Sequence, residues 1–252
     1  MKIAICISGL TRKHDNCLLS IEKYFKDHEV DVFCHTYEVK SIERVVRDTW
    51  SKHETKTYYE NLDISITDVI SLFKPKEYII EDYDTISVHY FMPMFLDIMN
   101  TRNLIRDNIE GNLTVISMHY SMMMANHLRR LYQEKTKTEY DVVFRMRYDS
   151  DIQFMYPLEN HKLNKLNIPY GSDWNDGMND QFAFGPTDMM DKYMDLFPNI
   201  VQTIKQCLRY APEVILRQHL KNQNLLDEIV RPMMAVKVSF SREYELIKNA
   251  EN

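Results

Sequence analysis

A chain of 252 residues, 44% apolar and 27% charged, is long enough to bury a sizeable core. Its formal net charge of -6 argues against broad electrostatic binding to nucleic acid or to an anionic membrane surface. Five glycines and eight prolines leave little room for flexible linkers, and no segment reaches the ~18 uninterrupted apolar residues of a transmembrane helix. The four cysteines, Cys6, Cys17, Cys34 and Cys207, show no paired spacing, so free thiols and a cytoplasmic location are expected.

The predicted elements alternate. Lys2 to Ile7 is a continuous apolar run, the pattern of a strand buried on both faces, closed by Ser8-Gly9. Asn16 to His28 carries Leu18, Leu19, Tyr24 and Phe25 at helical spacing. Val30 to Thr36 is a second buried strand, completing a β-α-β unit. Ser41 to Asn61 is polar and is expected to be a surface helix. Ile66 to Phe73 is a short helix ended by Lys74-Pro75, and Tyr78 to Ile80 a third strand. Phe91–Asn108 and Ile116–Gln133 are two further helices, the second with Met118, Met122, Leu128 and Leu131 as core contacts.

Asp141 to Arg147 is the next strand. Its apolar part stops abruptly in Arg147-Tyr148-Asp149-Ser150-Asp151. Short strands follow at Leu166–Pro169 and Gln181–Phe184. Helices are expected at Thr187–Leu196, Asn199–Cys207 and Pro212–Asn222, and a late strand at Met234–Phe240. The alternation predicts an α/β fold: one domain over 1–252, with a mostly parallel central sheet flanked by helices. Its nucleotide-binding part falls at about 1–151 and its acceptor-binding part at about 152–252.

Ligands of open α/β sheets bind beyond the carboxyl ends of the strands, and three polar clusters fall there. In Ser8-Gly9-Leu10-Thr11-Arg12, the glycine lets backbone approach a ligand and the Arg12 fork suits phosphate oxygens. In Arg145-Met146-Arg147-Tyr148-Asp149-Ser150-Asp151, alternation puts Arg145, Arg147 and Asp149 on one face. Asp149 and Asp151 are two hard carboxylates suited to Mn²⁺ or Mg²⁺, with a diphosphate completing the oxygen shell. The third cluster is the glycine-punctuated loop from Gly171 to Gly185. There Trp174 can stack on a sugar, Asp176 can contact an acceptor, and Asp180 can take a proton from an acceptor hydroxyl.

Ser8-Gly9-Leu10-Thr11-Arg12, Tyr140-Asp141-Val142-Val143-Phe144-Arg145-Met146-Arg147-Tyr148-Asp149 and Asn179-Asp180-Gln181-Phe182-Ala183-Phe184-Gly185 resemble the ordered landmarks of GT-A-type glycosyltransferases, especially those of bacterial capsule loci and large viruses. The resemblance runs from the start of the chain to about Gly185, with a looser match at Pro212-Glu213. It implies a GT-A (Rossmann-like) fold, a nucleotide-sugar donor, a glycan or glycolipid acceptor and a divalent cation. By position, it implies Ser8, Gly9, Arg12, Arg145, Arg147 and Asp149 at the donor. It further implies Asp149 and Asp151 at the metal, joined by His219 as a late histidine ligand, and Asp180 at the acceptor. The implied activity is metal-dependent sugar transfer in surface-polysaccharide or glycoprotein glycan synthesis. A sugar nucleotidyltransferase and a non-catalytic nucleotide- or sugar-binding module are the alternatives. The first usually has a richer glycine and basic loop after strand one, and the second has no need of three aspartates.

Overall fold

The computed structural model describes residues 1–11, 14–38, 43–47, 55–59, 65–101 and 109–238. The strands are β1 (Lys2–Ser8), β2 (Glu29–Glu38), β3 (Glu43–Arg47), β4 (Thr55–Tyr59), β5 (Glu77–Asp82), β6 (Val142–Arg147), β7 (Ser150–Phe154), β8 (Leu166–Asn167), β9 (Ala183–Gly185), β10 (Ile229–Val230) and β11 (Met234–Val238). The helices are α1 (Asp15–Phe25), α2 (Ile66–Leu72), α3 (Tyr83–Ile86), α4 (Met92–Thr101), α5 (Ile109–Thr136), α6 (Thr187–Met194), α7 (Ile200–Gln206) and α8 (Pro212–Asn222). A π-helical turn, Ser87–Phe91, joins α3 to α4.

The central sheet has seven strands in the order β10-β8-β9-β6-β1-β2-β5. β1 lies parallel to both β2 and β6, β2 parallel to β5, and β10 parallel to β8. Only β9 is reversed, pairing antiparallel with both β6 and β8. β1 is buried from Ile3 through Ser8, as its continuous apolar run requires of a strand covered on both faces. Alternation then divides the core. Ile3, Ile5, Val142, Phe144 and Phe184 pack with Cys17 and Phe25 of α1 and with Val69 and Ile70 of α2. Ala4, Cys6, Phe33 and Val143 pack on the other face with Met122, Ala125 and Leu128 of α5 and with residues of α4, α6, α7 and α8. The mostly parallel α/β sheet flanked by helices is therefore present.

Three expectations change. The segment expected to be a polar helix contains, in its described parts, the antiparallel pair β3 and β4. Val45-Val46 and Thr55-Lys56-Thr57-Tyr58-Tyr59 are β-branched and aromatic runs that favour a strand over a helix. β7 was not foreseen, although Ile152 and Phe154 alternate with Asp151 and Gln153. It pairs antiparallel with β11 in a separate two-stranded sheet. The helix expected from Phe91 is α4 preceded by the π turn. Its stretch 102–108 lies outside the described residues, as does the charged tail from 239. No helix of the described residues is long and apolar enough to cross a membrane.

Candidate active site

The reversed strand builds the site. β6 ends at Arg147, and Arg145 pairs with Ala183 at the start of β9. The residues just before Ala183, Asn179 to Phe182, are thereby carried beside the carboxyl ends of β6 and β1. Ser8 pairs with His35 on one side and with Arg147 on the other, so His35, Ser8 and Arg147 form one transverse row. Registered neighbours share a face, and this is the face covered by α5. The row is therefore the floor from which Asp149, Asp180 and the Gly9 turn rise.

Arg147 is held. Its Nε and Nη2 donate to the two carboxylate oxygens of Asp149, each at 2.8 Å. The turn is closed by the Arg147 amide donating to Ser150 Oγ at 3.1 Å. Asp149 is buried while Arg147 keeps some exposure, so the bidentate pair presents an oriented guanidinium to the edge. Asp151 lies inside β7, opposite Lys237. Among the described residues, no group of three or more His, Cys, Asp or Glu side chains could hold a metal ion. Both oxygens of Asp149 are engaged by Arg147, and His219 is buried in α8, where its Nε2 donates to the Lys192 carbonyl at 2.7 Å. Asp149, Asp151 and His219 as arranged thus do not fit a Mn²⁺ or Mg²⁺ site. His219 is corrected from a metal ligand to a core residue that ties α8 to α6. Arg12 lies outside the described residues.

The Gly9 turn has a backbone cause. Gly9 adopts φ +114°, where a side chain would be strained although a Cβ would meet nothing within 4 Å. Its amide points inward, to Ser121 Oγ at 2.9 Å and to the His35 carbonyl at 3.3 Å. Gly9 is the pivot of the turn, and its N–H is already spent.

Behind Arg147 lies a buried polar group. Arg145 is inaccessible to solvent. Its Nη1 donates to the Gln181 carbonyl, while its Nε and Nη2 have no hydrogen-bond partner. Burial lowers its pKa, and Tyr193 and Asp180 partly restore it. Burial raises the Asp180 carboxyl above its ordinary value, against the pull of Arg145 and Arg147. Glu213, in the first turn of α8, is pushed up to about 7, first by burial and further by Asp180 and Asp173. Both nitrogens of His119 and the hydroxyl of Tyr193 are likewise buried without partners. Burial, with His219 and Arg145 adding to it, lowers His119 to about 3, so it is neutral.

The acceptor-side loop is tightly tied. Asn179 donates through Nδ2 to the Gly171 carbonyl at 2.7 Å, and its Oδ1 accepts from the Gln181 amide at 2.8 Å. Asp173 Oδ1 accepts from the Asn179 amide at 2.8 Å, and Arg231 pairs with Asp173 Oδ2 at 2.5 Å. Gly177 is required by contact, since a Cβ there would come within 2.5 Å of Glu213. Trp174 stands 57% exposed beside Asn175 and Asp176, both of which adopt positive φ. The loop brings Asp173 and Asp180 into electrostatic reach of Glu213. In the sequence Glu213 stands out only within the loose Pro212-Glu213 match. His119 and Tyr193 were missed, for each sits on a helix face that reads as ordinary core.

No protein-family model matches this chain, and no curated protein matches it in sequence. Among solved structures, it is similar to a crystal structure of the galactosyltransferase LgtC in complex with donor and acceptor sugar analogs. The identity is 13%, the match covers 92% of this chain and 73% of that one, and the TM-score is 0.43. An active-site mutant of LgtC gives 13%, 92%, 72% and 0.44. At that identity and score the likeness adds nothing to what the strand order already shows.

Proposed function

We propose that the protein is a GT-A-type glycosyltransferase that moves a sugar from a nucleotide-sugar donor to a glycan or glycolipid acceptor. The observation that carries this reading is the convergence at one sheet edge of an oriented guanidinium and a protonatable carboxylate pair. Arg147, aligned by Asp149, is suited to the leaving phosphate. Asp180, with Glu213 beside it, is suited to an acceptor hydroxyl. The landmark resemblance in sequence agrees with the same assignment.

The step balances simply. The acceptor oxygen forms a bond to the anomeric carbon, and its proton passes to the Asp180 carboxylate. The bond from the anomeric carbon to the phosphate oxygen breaks, and the electron pair leaves on the nucleoside phosphate. Arg147 stabilises that charge at a partly buried edge, where it is worth more than in bulk water. The raised pKa of Asp180 brings it towards the working pH, which improves a general base. Glu213, near 7, carries a proton for part of the time and keeps two carboxylates from repelling at full charge. Trp174 gives the acceptor a ring to stack on.

The test is nucleotide release from a panel of nucleotide sugars. A transferase releases nucleoside diphosphate, or monophosphate from a CMP-sugar. Pyrophosphate release would instead identify a nucleotidyltransferase, and no release with intact binding a non-catalytic module. A thermal-shift screen selects the donor first. Ligand at one hundred times its dissociation constant stabilises the fold by about 2.7 kcal/mol.

A further inference from the structure

On the far side of the Gly9 turn, away from Arg147, four residues from three elements form a closed polar relay. His35 of β2 is fully buried and contacts two partners: Nδ1 to Ser121 Oγ on α5 at 2.8 Å, and Nε2 to Glu81 Oε2 on β5 at 2.8 Å. Tyr120 of α5 donates to the other Glu81 oxygen at 3.1 Å. Ser121 Oγ receives the Gly9 amide at 2.9 Å.

The chemistry of the partners sets the direction of every hydrogen. An ionised carboxylate only accepts, so His35 Nε2 carries the proton it gives to Glu81. The ring is neutral, because burial lowers its pKa more than Glu81 restores it, so Nδ1 accepts from the Ser121 hydroxyl. The Ser121 oxygen is left free to accept from Gly9. The polarity therefore runs from the Gly9 N–H through Ser121 to His35, and from His35 and Tyr120 to Glu81, with no group frustrated. Such a network resembles a nucleophilic serine triad in composition. However, Ser121 is wholly buried and its oxygen is turned to the backbone, so no substrate atom reaches it.

We infer that His35 and Ser121 are positioning residues: the relay fixes the pivot at Gly9 and thereby the path along which the chain leaves β1 towards the donor phosphates. The inference rests on the transferase reading for what the turn binds, but the relay itself is independent of it. Gly9 has no side chain to anchor and sits at a φ most residues avoid, so its geometry is imposed through its amide. The Ser121 oxygen and the His35 carbonyl, from α5 and β2, are what impose it.

The experiment uses the full chain and three variants. Ser121→Ala removes the nearer of the two acceptors of the Gly9 amide and leaves the His35 carbonyl. His35→Asn places an amide where Nδ1 was, keeping the contact to Ser121 and dropping Glu81. His35→Gln reaches the Nε2 position, keeping Glu81 and dropping Ser121. Amide hydrogen exchange at Gly9, which needs no ligand, is read against Cys6 in the preceding strand β1. Binding of a nucleoside diphosphate is read against its parent nucleoside. One buried hydrogen bond is worth about 3- to 10-fold in an equilibrium, so Ser121→Ala and His35→Gln should speed Gly9 exchange by about that factor. They should weaken the diphosphate by about the same factor while leaving the nucleoside unchanged. His35→Asn should change both readouts less than His35→Gln, although both variants lose one partner. Unchanged Gly9 exchange in Ser121→Ala overturns the relay. Equal losses for nucleoside and diphosphate overturn its role at the phosphates. Wild-type protein that binds no nucleotide overturns the transferase reading and the phosphate role with it, while the exchange at Gly9 still decides whether the relay holds the turn.

Discussion

The carboxyl edge of the sheet has two halves that handle buried polar groups in opposite ways. Around β2, β5 and α5, the groups linking His35, Ser121, Glu81, Tyr120 and Gly9 all find partners within 3.5 Å. Where β6 and α6 meet the facing side of α5, Arg145 has two unpartnered nitrogens, His119 of α5 has two and Tyr193 of α6 an unpartnered hydroxyl, all removed from solvent. A satisfied network rigidifies its surroundings, whereas a half-satisfied one is costly, because a buried donor without a partner costs about 1–3 kcal/mol. The difference assigns the labour. The first half is scaffold that holds the turn after β1. The second half leaves donors unpartnered in the interior behind Arg147, within electrostatic reach of Asp180.

The largest effect should come from breaking the second half at its acid. Asp180→Asn keeps the shape and removes the base, so transfer should fall by about 10²–10⁴-fold with donor affinity nearly intact. Glu213→Gln should do less to the maximal rate but should shift the pH profile, since a group near 7 titrates within the working range. Steady-state kinetics across pH, with apo melting curves to confirm folding, check both. Full transfer by Asp180→Asn would make Asp180 a turn residue, and Asp173, Asp176 or Glu213 the candidates for the base.

How much of this was legible in the sequence follows the same division. β1, β2 and β6 were readable because strands covered on both faces write continuous apolar runs, and Arg145, Arg147 and Asp149 stood out where the last of these stops. The joining of Asp180 to that cluster was not readable. It depends on β9 running backwards beside β6, a long-range pairing with no local signal. Asp149-x-Asp151 illustrates the opposite failure. Two aspartates at that spacing suggest a metal pair, yet Ile152 and Phe154 draw Asp151 into β7 while Arg147 folds back on Asp149. The relay was also hidden, since His35 lies within an apolar strand and Ser121 within a methionine-rich helix.

Two arginines sharpen the comparison in stability. Arg129 is fully buried but pairs with Asp191 and Asn126, so Arg129→Met leaves those partners stranded and should destabilise by about 1–3 kcal/mol. Arg145→Met removes a buried cation with no carboxylate in hydrogen-bond contact among the described residues, and should leave the apo protein as stable or more so while weakening nucleotide binding. Chemical denaturation of both variants decides. If Arg145→Met costs as much as Arg129→Met, Arg145 is as well satisfied in the native state as Arg129.

The neutral His119 makes the same point through pH. Its folded pKa, about 3, lies far below the ordinary 6.5, so the unfolded chain binds a proton that the native state refuses. Its contribution is therefore present above pH 6.5 and is lost as pH falls towards 3, by up to about 1.4 kcal/mol for each pH unit. His119→Leu should flatten that part of the stability profile. An unchanged slope between pH 6 and 4 would show that His119 is not held neutral.

The smallest effect should come from the rim. Trp174 is mostly exposed, so Trp174→Ala gives up little buried area and should change stability by no more than about 0.5 kcal/mol. Its loop is held without it, by Asn179, Asp173 and Arg231, so the backbone should stay in place. What remains is the ring as a platform. Stacking of an aromatic face is worth about 0.5–1.5 kcal/mol, which predicts a rise of roughly 2- to 12-fold in the acceptor KM with kcat and the donor KM unchanged. A loss confined to kcat would place Trp174 at the reacting atoms rather than at the rim. A loss in donor affinity would mean that the loop closes over the nucleotide sugar, and that the two sides of the edge are coupled through the segment from Gly171 to Gly177.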